Sequence, residues 1–262
     1  MIFVKKILIL FVFIPVFATG QNLNLSDRNI LIQKGIIYKK EFSLEAKLHT
    51  LGFAFGYNRG IISKYYLTKY YHFDIGYLKS IKEKRNNLVI TGITIYNSYS
   101  YGKRNYFLPV RLGMGLKKYL SEKEAYHGVS VGYSLEGGLT LGVLKPYFLV
   151  VRTKNDDNEV FYKTIKYTEE NRDLFIDENL IFDRSSFFKG FDQLSMLPGI
   201  HINAALHYAI KAFEKSVFAF ETGIMIDAFI KKVPVMVETK NFKNKSLFIN
   251  VYINVQIGKR WN

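Results

Sequence analysis

The feature that most constrains the fold of this chain is the alternation in its last stretch, Ser246 to Lys259. Every second residue there is aliphatic, and the residues between carry mostly amide and aromatic side chains. A period of two is that of a β-strand with two different faces. The aliphatic residues are Leu247, Ile249, Val251, Ile253, Val255 and Ile257. This predicts a strand whose apolar face meets either a protein core, as in a soluble sandwich, or lipid, as in a membrane barrel.

Nine earlier runs repeat the alternation, so the sequence predicts about ten antiparallel strands. These runs are 41–49, 51–58, 65–78, 88–101, 105–118, 127–136, 139–151, 197–210 and 217–228. Gly137 and Gly138 either turn the chain or lie inside one longer strand, and the range is therefore eight to twelve. Pairing of the last strand with the first would close a barrel and remove both exposed edges.

Charged residues collect in the middle of these runs, on the face opposite the aliphatic one. They are Glu45, Lys47, His72, Asp74, Arg111, Glu136, His201, Glu221 and Asp227. In a soluble barrel the interior would hold the apolar residues instead, because water covers the outside. The sequence therefore predicts an all-β fold, a transmembrane antiparallel up-and-down β-barrel, with these nine residues forming a polar network in a plugged lumen.

Connection lengths support the same fold. If the chain begins on the periplasmic side, the connections after odd-numbered strands are mostly the longer ones. These longer connections are 79–87, 119–126, 152–196 and 229–245. Membrane barrels have short periplasmic turns and long outer loops. The alternation of short and long connections therefore favours a membrane barrel over a soluble sandwich.

The start of the chain predicts export. Residues 5–20 contain a lysine pair, an apolar run and a small-residue cleavage site, which is the pattern of a signal peptide. A transmembrane anchor is the alternative, but the run is shorter than the roughly 20 residues needed to cross a bilayer. We predict a signal peptide at 1–20, an N-terminal periplasmic segment at 21–40 and an outer-membrane barrel at 41–262.

The amino-acid composition of the chain excludes several classes of protein function. The sequence contains no cysteine, which excludes disulfides, thiol catalysis, cysteine-ligated zinc and a lipoprotein anchor. Its net charge is +15, which would suit a nucleic-acid binder, but export and the scattered basic residues argue against nucleic acid. Lysines and arginines at a barrel rim are instead attracted to anionic lipid head groups. The predicted partners are outer-membrane lipid and other envelope proteins.

One segment, at about 153–195, differs from the rest in composition. It contains ten acidic and six basic residues in an otherwise basic chain. A loop of this length without structure of its own is uncommon in a compact domain. Its apolar residues predict short helices or a folded lid over the pore mouth, with a surface-exposed loop as the alternative. We therefore expect an acidic extracellular loop or lid.

Few residues have the spacing of a catalytic or metal site. His72 and Asp74 share a face, as a histidine and its orienting carboxylate would, but the sequence places no serine beside them. His201 and His207 lie about 20 Å apart at roughly 3.3 Å per residue, too far to bind one metal ion. The acidic run 156–159 lacks the glycine and the spaced ligands of a calcium loop. We predict no catalytic residue, no cofactor and no metal site.

Several segments resemble the small outer-membrane β-barrel proteins of Bacteroidota. They are LHTLGFAFGYNRG at 48–60, YSYGKRNYFLPVRLGMG at 99–115, GVLKPYFL at 142–149, the FIKKVPVM region at 229–236 and INVQIGKRW at 253–261. Members of that family mostly have no assigned function. The resemblance implies a barrel fold and an outer-membrane location, and it transfers no site residue.

The expected function is non-enzymatic, as a structural or accessory component of an envelope complex. A small channel or transporter for a polar solute is the alternative, and an outer-membrane hydrolase is a third. An accessory role predicts a blocked lumen and copurifying partners. A channel predicts conductance that depends on Arg111 or Glu136, and a hydrolase requires activity that is lost in His72→Ala.

Overall fold

A computed structural model describes residues 38–64, 66–86, 98–120, 129–154, 159–210, 214–239 and 242–262. The predicted signal peptide at 1–20 and nearly all of the predicted periplasmic segment at 21–40 lie outside the described residues. Among the described residues, no helix is long and apolar enough to span a membrane.

The regular structure of the described residues is almost entirely β. They are β1 (Lys40–His49), β2 (Gly52–Lys64), β3 (Leu67–Leu78), β4 (Arg85–Asn86), β5 (Tyr99–Ser100), β6 (Asn105–Tyr119), β7 (Ser130–Pro146), β8 (Phe148–Lys154), β9 (Val160–Lys166), β10 (Ile181–Arg184), β11 (Ser195–Ala209), β12 (Ser216–Phe229) and β13 (Leu247–Trp261). One α-helix, α1 (Arg172–Ile176), and one 3-10 turn, Phe191–Gln193, are also described.

Eight of these strands close into an antiparallel barrel in the order β1-β13-β12-β11-β7-β6-β3-β2. Each strand pairs with the next barrel strand along the chain, and β13 closes against β1 from Glu41 opposite Arg260 to His49 opposite Tyr252. The predicted antiparallel up-and-down barrel is therefore confirmed, with eight strands, at the lower limit of the predicted range.

Two features reduce the count from ten to eight. The predicted strand 88–101 lies mostly outside the described residues, and β3 pairs directly with β6. Gly137 and Gly138 do not turn the chain, because β7 runs through both without a shift in register against β6 and β11. The predicted run 139–151 is divided instead, since the chain leaves the barrel after Pro146 and begins β8.

The barrel has two different ends. At the terminus end, β1 begins and β13 finishes, and at the cap end β7 finishes and β11 begins. The predicted long outer connection 119–126 belongs to the terminus end, because Lys118, near the end of β6, pairs with Leu67 at the start of β3. The prediction was wrong because β3 pairs directly with β6, so β6 is the fourth barrel strand and not the fifth. The merging of two predicted strands into β7 restores the predicted parity from β11 onward.

The outer surface of the barrel is apolar. The outward side chains of each strand are mostly large and aliphatic or aromatic, and many of them are well exposed. Examples from successive strands are Leu44, Phe55, Phe73, Leu112, Leu139, Ile200, Ile224 and Ile253. Period-two alternation places these residues outside and the charged ones inside, so the barrel is inverted relative to a soluble protein.

The segment between β7 and β11 is folded. Strands β10, β8 and β9 form a three-stranded sheet. We call this sheet and the helix α1 together the cap. Its core contains Leu149, Val151, Ile165, Phe175 and Ile181. Here burial raises the pKa of Tyr147 to about 12, and its hydroxyl accepts a hydrogen bond from the Ser100 amide (3.0 Å). A folded element therefore occupies most of the predicted acidic loop or lid.

A hydrophobic plug closes the lumen at the cap end. Inward side chains at the ends of the strands pack against residues of the β12–β13 connection. The plug consists of Leu78, Phe107, Leu144, Phe229, Val233, Val235, Met236 and Phe248. The Phe107 ring centroid lies 5.3 Å from that of Phe229 and 5.7 Å from that of Phe248. This part of the interior is consequently apolar, unlike the lumen beneath it.

Candidate functional site

All nine charged residues singled out in the sequence face the barrel interior and are buried. They come from β1, β3, β6, β7, β11 and β12. The nine are Glu45, Lys47, His72, Asp74, Arg111, Glu136, His201, Glu221 and Asp227. We call these residues and their hydrogen-bonding partners the lumen network.

Arg111 is the centre of the upper part of the network. Its Nε and Nη2 donate to the two carboxylate oxygens of Asp227 at 2.7 and 2.9 Å, and its Nη1 donates to Asp74 Oδ1 at 2.9 Å. All three side chains are fully buried. Forked guanidinium–carboxylate pairs are among the strongest hydrogen bonds in proteins. This guanidinium therefore connects β3, β6 and β12 across the lumen.

Lys47 joins the first strand to the same group. Its Nζ lies 2.9 Å from Glu45 Oε1 and 3.3 Å from Asp74 Oδ2. Both carboxylates also lie close to His72. Since an unpaired charge in this interior would keep its full desolvation cost, the mutual pairing is what permits burial.

Two acceptor oxygens face the ring nitrogens of His72. Its Nδ1 lies 2.7 Å from Asn58 Oδ1, and its Nε2 lies 3.0 Å from Asp74 Oδ2. The Asn58 amide group donates through Nδ2 to Glu45 at 3.0 Å, so the amide oxygen is the atom that faces His72. Both ring nitrogens therefore face acceptor oxygens, an arrangement that favours the doubly protonated ring.

Glu136 extends the network to β11. Its Oε1 accepts a hydrogen bond from Asn203 Nδ2 at 2.7 Å and lies 3.5 Å from His201 Nε2. The other nitrogen of His201 lies 3.0 Å from the Thr140 hydroxyl. On the opposite side, Tyr70 reaches Glu136 Oε2 through its hydroxyl at 3.3 Å.

The terminus end contains further charged residues of the network, which are not among the nine predicted ones. Arg260 donates through Nε to Glu41 at 2.7 Å, and Lys117 lies 3.5 Å from the same carboxylate while donating to Gln256 at 3.0 Å. Glu41 and Arg260 were missed because they lie at the very ends of the predicted runs. The alternation could have identified both residues, because each lies on the same face of its strand as the charges in the middle of the strands.

Between these two parts lies a bridge of amide, imidazole and hydroxyl groups around Glu221. Asn254 Nδ2 lies 3.0 Å from both Glu45 Oε2 and Glu221 Oε2. His207 Nδ1 lies 2.8 Å from Glu221, and its Nε2 lies 3.4 Å from the Tyr119 hydroxyl. Gln256 Nε2 also lies 3.4 Å from Glu45 Oε2, so the network is continuous from Arg260 near the terminus end to Arg111 beneath the plug.

One group of ligating side chains in the lumen could hold a metal ion. Among the described residues, Glu45, His72 and Asp74 bring three ligand atoms within 4.8 Å of one another. The Lys47 ammonium already pairs with both carboxylates, and both nitrogens of His72 already face acceptor oxygens. A metal ion would have to displace the ammonium and break the contacts of the ring, so these residues do not fit a metal centre.

The same geometry does not fit hydrolysis. A catalytic histidine needs one nitrogen free to take a proton from a nucleophile or water. In His72 one nitrogen faces Asn58 and the other faces Asp74, and the ring is buried in the lumen. Residues 155–158, which include most of the acidic run 156–159, lie outside the described residues.

Gly115 permits one cross-strand contact of the network. It lies between Tyr70 on β3 and Glu136 on β7, and the tyrosine ring passes over it. A Cβ atom at this position would overlap the Tyr70 ring. Gly115→Ala is expected to lower the free energy of unfolding by about 1 to 3 kcal/mol, because the ring must shift in a packed interior. Urea titration in detergent measures this change.

Gly137→Ala is the matched control for this prediction. Gly137 lies on the outward face of β7, and its Cβ would meet only the His201 carbonyl oxygen at 3.6 Å, an ordinary contact. We expect a change within about 0.5 kcal/mol. Equal losses for the two variants would contradict the proposed role of Gly115.

Comparisons with known proteins add little to this geometry. No protein-family model matches the chain, and no curated protein matches it. Among solved structures, the N-terminal β-barrel domain of Pseudomonas aeruginosa OprF is similar, with 9% sequence identity and a TM-score of 0.36. The match covers 87% of this chain and 100% of that one. A similarity this remote carries no argument about function.

Proposed function

We propose that the chain spans the bacterial outer membrane as a closed, non-enzymatic barrel, with a structural or accessory role in the envelope. The inverted distribution of side chains supports the membrane part of the proposal. The outward row of β13 runs from Leu247 to Ile257 without a charge. At about 3.3 Å per residue and a tilt of about 40°, ten steps cover roughly 25 Å, which matches the apolar band of membrane barrels.

The closed lumen is the observation that carries the functional part. Buried ion pairs fill the interior from Arg260 to Arg111, and the hydrophobic plug lies above them. Opening a path for ions would require separating buried charge pairs and moving the plug, which would leave charges unpaired. A barrel of this construction suits a rigid membrane support better than a solute pathway.

Planar-bilayer recording tests the proposal against the channel alternative. We expect the inserted protein to show no steady conductance, because the paired charges and the plug occupy the lumen. Insertion is verified independently by the different gel migration of boiled and unboiled samples. A stable wild-type conductance that changes in Arg111→Gln or Glu136→Gln would replace the proposal with a channel.

Isolation of the native protein in mild detergent tests the accessory role. An accessory component is expected to copurify with another envelope protein in a fixed ratio, and chemical crosslinking in intact cells should recover the same partner. Recovery of the barrel alone by both methods would contradict the accessory role and favour a purely structural one.

A further inference from the structure

Three loop tips at the cap end combine an exposed apolar residue with a lysine. Phe188, Ile81 and Ile230 are 80%, 76% and 75% exposed, and they are the most exposed large apolar side chains in the described part of the chain. Each is followed directly by an exposed lysine, namely Lys189, Lys82 and Lys231. Single exposed apolar residues are ordinary, but three with the same neighbour at one end of a barrel form a pattern.

The Ile230 tip continues the outward row of β12. Outward residues of this strand have even numbers, and the row ends at Ala228. The Ile230 amide donates to the Pro198 carbonyl at 3.2 Å, so the residue stays beside the wall of the barrel. Its side chain therefore adds one more apolar position to the outer surface, next to Lys231 and Lys232.

The Phe188 tip belongs to a segment that covers an outward lysine. Lys145 faces outward on β7, and its Nζ donates to the Phe187 carbonyl at 2.6 Å and lies 4.4 Å from the centroid of the Phe187 ring. The Phe187 ring also contacts Tyr106, on the outward face of β6. The segment thus packs on the outside of the wall, and Phe188 extends from it unburied.

The Ile81 tip follows β3 by three residues. The Lys79 amide donates to the Leu51 carbonyl at 2.9 Å, which keeps this connection beside the wall where it begins. The nearby carboxylate, Glu83, is 2.8 Å from Lys103. Its negative charge is therefore offset, and Lys82 remains exposed.

We propose that the three loop tips anchor the cap end in the membrane interface, with the apolar side chains among the acyl chains and the lysines on lipid phosphates. This inference rests on the proposed membrane span. The tips follow β3, cover β6 and β7, and follow β12, so they extend over the half of the circumference that runs from β3 through β6, β7 and β11 to β12. A lipid leaflet contacts every part of this arc at one level. Apolar side chains beside lysines are the usual composition of such anchors.

Tryptophan scanning tests where the tips lie. In a Trp261→Phe background, single tryptophans are introduced by Ile81→Trp, Phe188→Trp and Ile230→Trp, and the full-length protein is reconstituted into phosphatidylcholine brominated on the acyl chains. We expect bromine to quench the fluorescence of all three. Leu112→Trp, in the middle of the outward face, reports insertion itself, and Leu174→Trp, on α1, reports the water-exposed cap.

The controls separate the two proposals. Quenching of Leu112→Trp without quenching of the tips would overturn the anchor while leaving the membrane span intact. Absence of quenching at Leu112→Trp would overturn both. Equal quenching of Leu174→Trp and the tips would also overturn the anchor, because the tips would then be no different from the rest of the cap.

A charge substitution tests the lipid phosphate. The protein is reconstituted into nanodiscs with equal amounts of phosphatidylcholine and phosphatidylglycerol, and native mass spectrometry counts the lipids that stay bound. Lys82→Gln, Lys189→Gln and Lys231→Gln together should lower the phosphatidylglycerol enrichment about fivefold at each tip, since each lysine contributes about fivefold. The matched control removes the same charge from the cap sheet by Lys154→Gln, Lys163→Gln and Lys166→Gln. Equal losses in both variants would overturn the assignment of the phosphate contacts to the tips.

Discussion

Arg111→Ala is expected to lower the free energy of unfolding by about 3 to 5 kcal/mol, the largest effect of any single lumen substitution. The guanidinium makes three short hydrogen bonds to Asp227 and Asp74, and none of the three side chains contacts solvent. Its removal leaves Asp227 without its bidentate partner beneath the plug. Urea titration in detergent, followed by Trp261 fluorescence, measures the change.

Two controls accompany this variant. Lys118→Ala removes an exposed outward charge from the same strand and should change stability by less than about 0.5 kcal/mol. The double variant with Asp227→Ala should lose less than the sum of the two single variants, because neither partner is then left alone. A loss below 1 kcal/mol for Arg111→Ala, or strict additivity in the double variant, would show that the lumen is hydrated and not closed.

Val251→Arg should have the second largest effect, about 2 to 4 kcal/mol of destabilisation in a lipid bilayer. Val251 faces outward near the middle of the apolar row on β13, so a guanidinium there would lie in the centre of the hydrocarbon. Ile257→Arg, six residues along the same face and beside Lys259, should cost only about 0 to 1 kcal/mol. Unfolding from vesicles by guanidinium chloride, monitored by gel migration, compares the two.

Equal costs at these two positions would contradict the membrane span, because only a bilayer imposes a dependence on depth.

A lumen position on the same strand is not a useful control. On sequence alone, an arginine at Asn254 should be tolerated better than one at Val251, since Asn254 faces a polar interior. The structure overturns this expectation: Asn254 is fully buried and bonded to Glu45 and Glu221, so an arginine there has no room.

The faces of the strands could be predicted because period two is a local property. Backbone geometry alone decides that Leu112 and Arg111 point to opposite sides of β6, and no knowledge of the neighbours is needed. The same rule placed all nine charged residues inside the barrel. Glu41 and Arg260 obey the same rule, and they were omitted from the network only because they lie at the ends of the predicted runs.

The partners within the network could not be predicted, because they depend on register around a closed barrel. Arg111 and Asp227 are 116 residues apart in the chain, and they meet only because every strand between them pairs in a particular register. The number of strands also depends on pairing between distant parts of the chain. Gly137 and Gly138 are a turn signal locally, but Gly138 lies opposite Gly113 inside a continuous ladder.

The sequence by itself determined that the chain forms alternating strands with an apolar face and a charged one, since this follows from residue order and the pleat. Only the tertiary structure decided what the charged face does. Eight strands make a lumen narrow enough for opposite walls to touch, so charges from different strands pair directly. The β12–β13 connection then folds into the remaining opening and closes it with the hydrophobic plug. Whether such a barrel is open or closed depends on distances across the lumen, which no alternation along one strand encodes.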